Sequence, residues 1–299
     1  MNPVAIVAGD AHPRLAAEIA RQAELPLVPV SISAFADGET RVRIEADVRG
    51  KELCVVQPTS APTNERLMTL ALIADAARAE GAARVTALLP YFGYARQDVR
   101  RPGEPRSAQL AARLLACAGI ERIIALELHS PALESAFPMP LVHLQADALM
   151  LPRVRERHCT IVSPDAGAMK RAQRYAMALG APLAIVAKRR TGADAAVPFQ
   201  VLGEVRGAAC LIVDDMASTG GTIAGAAQAL AAEGAAEVHA FFVHAVMARG
   251  ALERMRAAGV RDIVTTDSVG PVALAGVEVV PTAPLFVSAL ADSRPTARG

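Results

Sequence analysis

Two adjacent carboxylates at the end of an apolar run are the clearest sign of chemistry in this sequence. Asp214 and Asp215 follow the apolar residues 210–213, and a turn rich in Ser, Thr and Gly then leads into a helical pattern. Open α/β sheets bind ligands where their strands end, and glycines before a helix N-terminus can cradle a phosphate. This pattern predicts a site in which the acids accept hydrogen bonds from sugar hydroxyls, or face a metal. The phosphate would lie on Ser218, Thr219, Gly220, Gly221 and Thr222. The alternative is an ordinary capped helix after a turn.

Polar residues end three other apolar segments. Arg96 and Gln97 follow a strand-like run and supply a cation and an amide where a nucleotide phosphate could lie, although a solvated loop has the same composition. His129 and Asp165 each follow an apolar strand, one in each half of the chain. By residue type alone, such a histidine is usually structural and such an aspartate usually forms a turn.

Three consecutive cations, Lys188, Arg189 and Arg190, follow another apolar run. Small residues and a late proline come after them, which is typical of a mobile loop that could close over a charged substrate. Alternate side chains of an extended segment point in opposite directions, so Arg189 is expected to face away from its two neighbours. A solvated basic turn is the alternative interpretation.

Short apolar runs alternate with Ala/Leu-rich helical stretches along the whole chain, as in parallel strands joined by crossover helices. The predicted strands are Val4–Ala8, Thr40–Ile44, Leu53–Gln57, Val85–Pro90, Ile123–Leu128, Thr160–Ser163, Leu183–Ala187, Ala209–Val213, Val238–Val243 and Ile263–Thr266. The predicted helices are Arg14–Gln22, Asn64–Ala79, Ala108–Cys117, Ala168–Leu179, Ile223–Glu233 and Gly250–Ala258. This order predicts an α/β fold of two similar, doubly wound domains with mainly parallel sheets.

Composition narrows the classes of function. The 299 residues are 53% hydrophobic and 20% charged, with a net charge of +1, so no global basic field would hold nucleic acid or a membrane. Aromatic content of 3% without Trp argues against base-stacking surfaces. The four cysteines show no paired spacing, and no apolar stretch is long enough to span a membrane. We therefore expect an unexported, cytoplasmic protein without partners among nucleic acids or membranes.

Five segments, in this order along the chain, resemble the ribose-phosphate diphosphokinase family, whose sugar-phosphate loop is similar to residues 214–222. They are Phe35-Ala-Asp-Gly-Glu39, Pro90-Tyr-Phe-Gly-Tyr-Ala-Arg-Gln-Asp98, Glu127-Leu-His-Ser130, Ser163-Pro-Asp-Ala-Gly167 and Lys188-Arg-Arg190. The resemblance runs from about Ala5 to Leu290. It implies two phosphoribosyltransferase-like domains, which we place at residues 1–144 and 145–299, with the last residues packing back on the first domain.

The resemblance also implies a reaction and its residues. The family transfers the diphosphoryl group of MgATP to ribose 5-phosphate for nucleotide biosynthesis, giving AMP and phosphoribosyl pyrophosphate. The implied ATP-binding residues are Arg96 and Gln97, with Phe35, Asp37 and Glu39 acting from a neighbouring subunit of a homo-oligomer. His129 and Asp165 would bind Mg²⁺, Lys188 and Arg190 would be catalytic, and Asp214, Asp215 and residues 218–222 would bind ribose 5-phosphate.

Two other functions stay open at this point. A base-salvage phosphoribosyltransferase would explain residues 214–222 but would leave Phe35–Glu39 and Arg96–Asp98 without a purpose. A non-catalytic, synthetase-associated regulatory subunit would keep the fold and lose the chemistry, but the retained Lys188 and Arg190 argue against it.

The chain departs from the family pattern at four positions. Ser218 stands where many members have an acid, and Glu127 replaces an aspartate. Gly103 stands where an arginine is usual, and Asp47 stands where the animal enzymes have serine. Ser218 can still donate a hydrogen bond, so we predict that binding of ribose 5-phosphate survives. Gly103 and Asp47 belong to the family's phosphate and ADP regulatory site, so we predict that phosphate activation and ADP inhibition are reduced.

Overall fold

A computed structural model describes residues 2–155, 158–188, 199–271 and 274–292, and for Lys188 it describes the backbone. The predicted catalytic Arg190, its neighbour Arg189 and the small-residue segment up to Pro198 lie outside these residues. Within them, the chain folds into alternating strands and helices. The predicted α/β class with mainly parallel sheets is confirmed.

The elements are numbered in chain order. The first part of the chain contains β1 Val4–Ala8, α1 Pro13–Gln22, β2 Leu27–Val28, β3 Val30–Ala34, β4 Thr40–Ile44, β5 Glu52–Val56, α2 Thr63–Ala79, β6 Arg84–Leu89, α3 Ser107–Cys117, β7 Arg122–Leu126, a 3₁₀ turn Pro131–Ala136 and β8 Leu141–Leu144. It is followed by α4 Asp147–Val154, β9 Thr160–Ser163, α5 Met169–Leu179, β10 Leu183–Lys188, β11 Phe199–Leu202, β12 Ala209–Ala217, α6 Gly221–Ala232, β13 Glu237–Ala245, α7 Ala251–Ala257, β14 Val260–Thr266, β15 Glu278–Val280 and α8 Ala283–Asp292.

The described residues form two compact units. One contains residues up to Gln145, Ser268–Pro271 and the chain from Pro281 onward, and α8 packs there against α1. The other contains Ala146–Asp267 and the segment that ends at Val280. Each unit is built on a sheet of its own, so each can position functional side chains independently.

The two sheets share one connectivity. The first has the order β2-β1-β5-β6-β7-β8 and the second the order β11-β10-β9-β12-β13-β14-β15. All pairs are parallel except β10 with β11. In each sheet the order reverses beside the first strand, between β1 and β5 and between β9 and β12. These reversals are the places where open α/β sheets bind ligands, at the carboxyl ends of the strands.

Buried apolar runs form the centre of both sheets. β5 and β6 are almost fully buried, as are β12 and β13, because helices cover both faces of a parallel sheet. Ala-rich helices such as α6 lie close to the strands, since alanine adds little bulk. None of the described helices is long and apolar enough to cross a membrane.

A separate two-stranded hairpin, β3 with β4, stands beside the first sheet. The half-exposed strand predicted over Thr40–Ile44 is present, and alternate residues of it are half-buried. Its inward positions include Val42 and Ile44, which pack against the core of the first unit. The hairpin therefore presents residues 35–39 on an exposed turn.

One strand is longer than its sequence pattern indicates. The prediction ended a strand at Val213, but β12 continues through both aspartates to Ala217. The extension occurs because β13 is equally long, and Asp214 pairs with Phe242 and Ala217 with Ala245 in parallel register. The two carboxylates therefore sit on strand backbone and not in a loop.

Candidate active site

The acid pair of the second unit, Asp214 and Asp215, is largely buried. The side chain of Asp214 is 13% exposed and that of Asp215 is 6% exposed. The Asp214 Oδ1 accepts a hydrogen bond from the Asp215 N–H at 2.8 Å, which fixes the orientation of the first carboxylate. Two carboxylates at such a place can accept hydrogen bonds from ligand hydroxyls with little competition from water.

A buried arginine faces both acids. Arg171 lies in the first turn of α5, on the face that also carries Ala172, Tyr175 and Ala176. Its Nη1 lies 3.8 Å from the Asp214 Oδ1 and 4.0 Å from the Asp215 Oδ1. The motifs of the sequence did not single out this residue, although a charge on the apolar face of a predicted helix is a signal that could have found it.

Electrostatics set the ionisation of this pair. Burial raises the pKa of Asp214 well above its usual range, and the neighbouring Asp215 raises it further, while Arg171 opposes both effects. Burial disfavours the charged carboxylate, and a like charge at contact distance disfavours it again. Arg171 is therefore the cation that favours the charged form of Asp214.

The turn after β12 has the geometry of an anion cradle. Gly220 has φ +72° and precedes α6, and no side chain caps this helix. A Cβ on Gly220 would lie 2.7 Å from the Ala251 carbonyl oxygen, so only glycine fits. The N–H groups of the first turn of α6 have no partners within the helix and point toward the turn, as in phosphate sites.

The same turn is tied to the chain that follows β13. The Met247 N–H donates to the Ala217 carbonyl at 2.9 Å, and the Ala248 N–H donates to the Ser218 carbonyl at 2.9 Å. The Arg254 Nη1 donates to the Thr219 carbonyl at 2.5 Å. These bonds hold the backbone of the turn, so its N–H groups are ordered before any ligand arrives.

Asp165 forms the turn between β9 and α5. Its Oδ1 accepts hydrogen bonds from the Gly167 N–H at 2.9 Å and the Ala168 N–H at 3.1 Å, and the Ser163 hydroxyl donates to its carbonyl at 2.7 Å. This is the turn-forming role that its residue type indicates. The carboxylate is held rigidly at the end of a strand, beside the strand that carries the acid pair.

In the first unit, the segment after β6 is tightly built. Gly93 donates its N–H to the Thr59 hydroxyl at 2.7 Å, and a Cβ on Gly93 would lie 2.4 Å from the Thr59 carbonyl oxygen. Tyr94 has φ +64°, an unusual value for a tyrosine, and its hydroxyl donates to the Asn64 Oδ1. Strained backbone of this kind clusters at functional sites, and Tyr94 lies two residues before Arg96.

Arg96 and Gln97 are both exposed. The Gln97 Oε1 accepts from the Ser107 hydroxyl at 2.5 Å, and its N–H donates to the Tyr94 carbonyl at 2.8 Å. Gln97 is thus oriented by the start of α3, whereas the guanidinium of Arg96 extends from the surface of the unit.

The His129 segment is linked to the Arg96 segment. The Ser130 hydroxyl donates to the Asp98 Oδ2 at 2.5 Å. The Leu128 N–H donates to the His143 Nε2 at 2.9 Å, and the Nδ1 of that ring lies 2.7 Å from the Glu134 Oε1. No sequence motif singles out His143, yet its ring supports the backbone next to the exposed His129.

Residues 35–39 form the turn of the hairpin. Phe35 is 50% exposed, so its ring is not part of the core of its unit. The guanidinium of Arg41 lies 5.7 Å from the centre of its ring. The Asp37 Oδ1 accepts from the Glu39 N–H at 3.1 Å, and the Phe35 N–H donates to the Glu39 carbonyl at 2.8 Å. An aromatic ring and two carboxylates are therefore presented outward together.

The predicted residues divide between the two units. The first holds Phe35, Asp37, Glu39, Arg96, Gln97 and His129, and the second holds Asp165, Lys188, Asp214, Asp215 and residues 218–222. Within the second unit the structure brings the acid pair and the glycine turn together on one strand and its following helix. Lys188 ends β10, next to β9.

Comparison with known proteins identifies the class and then the family. Residues 145–276 match the model of the phosphoribosyl transferase domain, and residues 4–119 match the model described as the N-terminal domain of ribose phosphate pyrophosphokinase. The fold and the glycine turn of the second unit thus define a phosphoribosyltransferase-type protein.

Full-length relatives narrow this to one family. The ribose-phosphate pyrophosphokinase of Burkholderia pseudomallei is 41% identical over 88% of this chain and 85% of its own length, and that of Cereibacter sphaeroides is 39% identical over 97% and 91%. The crystal structure of phosphoribosylpyrophosphate synthetase from Mycobacterium smegmatis matches with a TM-score of 0.91 at 34% identity, covering 97% of this chain and 98% of that one. The chain belongs to the ribose-phosphate pyrophosphokinase family and is an enzyme.

Proposed function

We propose that this enzyme transfers the β,γ-diphosphoryl group of MgATP to the anomeric hydroxyl of ribose 5-phosphate. A bond forms between the anomeric oxygen and the β-phosphorus, the bond from the β-phosphorus to the α-phosphate bridging oxygen breaks, and AMP leaves as the hydroxyl loses its proton. The observation that carries the proposal is the buried acid pair of β12 directly before a glycine turn and an uncapped helix. The acids suit the hydroxyl groups of a sugar phosphate, and the glycine turn suits its phosphate.

The second unit would bind the acceptor. Residues 218–222 would hold the 5-phosphate on backbone N–H groups, which is how helix N-termini bind phosphates. Asp214 and Asp215 would accept hydrogen bonds from the ribose hydroxyls. Ser218, which replaces the acid found in many relatives, donates a hydrogen bond and adds no negative charge next to the phosphate.

The first unit would bind the donor. Arg96 and Gln97 would bind ATP phosphates, since a guanidinium and an amide both donate to phosphate oxygens. Phe35 offers an exposed ring for adenine stacking, with Asp37 and Glu39 beside it.

Mg²⁺ is implied by the family, and the donor set fits it in part. Asp165 supplies a fixed carboxylate, while His129 is a less usual ligand for this ion. No group of three or more His, Cys, Asp or Glu side chains that could hold a metal occurs in the described part of the chain. Asp165 and His129 would hold the ion, and Mg²⁺ bound there would neutralise negative charge on the phosphates.

Lys188 and Arg190 would meet the negative charge that develops on the transferring group. Phosphoryl transfer depends mainly on positioning and charge neutralisation, so cations at this point would act on turnover more than on binding.

The functional unit would be a homo-oligomer in which the hairpin of one subunit completes the ATP site of the next. The exposure of Phe35 and its neighbours supports this, because none of them faces the sheet of its own unit. A complementation assay tests it: mixed subunits of Phe35→Ala and Lys188→Ala should regain turnover that neither variant has alone. If the site were built within one subunit, mixing would restore nothing.

One assay tests the reaction itself. The protein is incubated with MgATP and ribose 5-phosphate, and products are followed by phosphorus NMR. We expect AMP and a ribose carrying a 1-diphosphate, both dependent on ribose 5-phosphate. Phosphoribosyl pyrophosphate consumption with a free base would instead indicate a salvage transferase, and no reaction would indicate a non-catalytic subunit.

A further inference from the structure

Arg171 is a charged side chain that the proposed chemistry does not yet use. It is 9% exposed and sits on the buried face of α5, where the neighbouring inward positions are Ala172, Tyr175 and Ala176. Burying a guanidinium is costly unless it faces negative charge. Its Nη1 lies 3.8 and 4.0 Å from carboxylate oxygens of Asp214 and Asp215, and it is thus placed between the helix and both acids.

The start of α5 fixes where this arginine lies. The Asp165 Oδ1 holds the N–H groups of Gly167 and Ala168, and α5 begins with the next residue. Because β9 and β12 are parallel neighbours, with Ile212 opposite Val162, the end of β9 brings this helix start beside the acid pair. One turn therefore sets the positions of Asp165 and of Arg171 together.

We propose that Arg171 is a positioning residue that holds the Asp214 and Asp215 carboxylates in the charge state and orientation needed to accept hydrogen bonds from the ribose hydroxyls. This inference rests on the proposed function of the acid pair. Arg171 does not touch the reacting atoms, and it acts through the two acids. Its effect should therefore fall on ribose 5-phosphate and leave ATP binding unchanged.

The direction of the pH effect follows from the charges around the pair. Asp215 and burial raise the pKa of Asp214, and Arg171 lowers it. Beside the acid end of β12, the neighbouring elements place His244 of β13, opposite Met216 in register, and Asp165 on the turn after β9. The other titratable groups of β13, Glu237 and His239, lie opposite Ala209 and Leu211 at the start of β12. Besides Arg171, helix α5 carries Lys170, Arg174 and Tyr175. Helix α6 carries no charged side chain. Loss of Arg171 removes the positive charge that faces both acids, so they should ionise at higher pH.

The experiment compares Arg171→Met and Arg171→Lys with the matched control Arg174→Met. Arg174 lies on the same helix, but its guanidinium binds Asp147 at 3.0 and 3.1 Å, away from the pair. We expect Arg171→Met to raise the KM for ribose 5-phosphate by about tenfold or more, with the KM for ATP unchanged. The acid limb of kcat/KM for ribose 5-phosphate should move to higher pH, and Arg171→Lys should restore part of both. Arg174→Met should change neither.

A folded Arg171→Met enzyme with an unchanged KM for ribose 5-phosphate and an unchanged acid limb would overturn the proposal. If that variant does not fold, the double variant Arg171→Met/Asp214→Asn decides. Removing one acid should recover folding if the arginine balances charge, and no recovery would show that it only packs. This stability cycle is independent of turnover, so it remains informative if the wild-type chain makes no AMP and the proposed function itself fails.

Discussion

The ligand-binding ends of the two sheets share a connectivity but differ in charge. β5 of the first sheet and β12 of the second occupy the same place, next to the strand where the order reverses. β12 carries two acids at its end, whereas β5 is followed by the neutral, fully buried Gln57. The Gln57 Nε2 donates to the Asp10 Oδ1 at 2.7 Å, and Arg66 pairs with the same aspartate.

We interpret this difference as one between a crevice filled by its own side chains, in the first unit, and the proposed sugar-binding site of the second unit. In the first unit the Gln57 amide and the Arg66 guanidinium both contact the Asp10 carboxylate, and a Cβ on Gly9 would collide with the Gln57 amide, so the space is filled. In the second unit one arginine faces two buried acids, at 3.8 and 4.0 Å, and we propose that their carboxyl oxygens accept hydrogen bonds from the sugar. The same topology would thus close over its own polar groups in one unit and offer them to substrate in the other.

The largest effect is expected at the end of β10. This strand ends at Lys188, whereas β2, its counterpart in the first sheet, ends at Val28. Lys188→Ala should lower kcat by roughly 10²–10³-fold, with smaller changes in KM, because the lysine would meet charge that develops in the transition state. Steady-state kinetics measure this, with the exposed Lys170→Ala as the control. An unchanged kcat in Lys188→Ala would remove the lysine from the mechanism.

Giving the first unit an acid at the matching place should destabilise it. Gln57→Glu removes the donor to Asp10 and places a buried carboxylate beside the Asp10 carboxylate, whose side chain is 34% exposed, for a loss of about 2–3 kcal/mol. Urea or thermal unfolding measures the change, and Gln200→Glu on the exposed part of β11 should be nearly neutral. An equally stable Gln57→Glu would show that the first crevice tolerates charge and that the contrast is not electrostatic.

The glycine turn is the next difference. In the first unit α2 follows a segment ending at Pro62, but in the second α6 follows Gly220. Gly220→Ala should raise the KM for ribose 5-phosphate roughly tenfold or more, since left-handed backbone costs an alanine about 1–2 kcal/mol and its Cβ meets the Ala251 carbonyl. Gly250→Ala has a similar φ of +80° with no atom within 4 Å, so it carries the backbone cost alone. Equal effects of the two variants on KM would rule out a cradle at Gly220.

Neutralising one acid should stabilise the second unit. The pKa of Asp214 is raised in the fold, so the folded state holds a proton that the unfolded chain loses above about pH 3.9. Stability therefore falls as the pH rises above that value, up to the folded pKa. Asp214→Asn should raise Tm by roughly 2–4 °C at pH 8, with no gain below about pH 4, and should abolish ribose 5-phosphate binding. A gain that is the same at both pH values would have another cause.

Sequence patterns predicted the central strands and helices because buried parallel strands are continuous apolar runs. They missed β2, β8, β11 and β15, which are edge strands of two to four residues that depend on their neighbours. They also missed β3 of the hairpin and helices α4 and α8. They also ended β12 at Val213, because polar residues usually mark the end of a buried strand. Here β12 continues to Ala217 because β13 pairs with it over that length. Motifs selected the acids and the glycine turn. Arg171 and His143 contact residues distant in sequence, and only the position of Arg171 on the apolar face of α5 is a local signal for either of them.

The smallest effect concerns an arginine on the surface of the first unit. Both Nε and Nη2 of Arg49 donate to Asp47, at 3.0 and 2.9 Å, and this pair lowers the pKa of Asp47 to about 2. Asp47 is therefore ionised at any assay pH and occupies Arg49 as a bound phosphate would. This pairing would be a physical cause of the reduced phosphate activation that the sequence predicts, and it resembles the pairing of Arg66 with Asp10.

Asp47→Ser should free Arg49 and increase phosphate activation by a few-fold, without changing turnover in the absence of phosphate. The effect is small because both side chains are exposed, at 64% and 78%, and water already screens the pair. Phosphate titrations of the two enzymes measure it, and Arg49→Ala in the Asp47→Ser background should cancel the increase. Strong activation of the wild-type enzyme would contradict the idea that the first unit supplies its own anions, and the contrast between the two units would then be confined to the ends of β5 and β12.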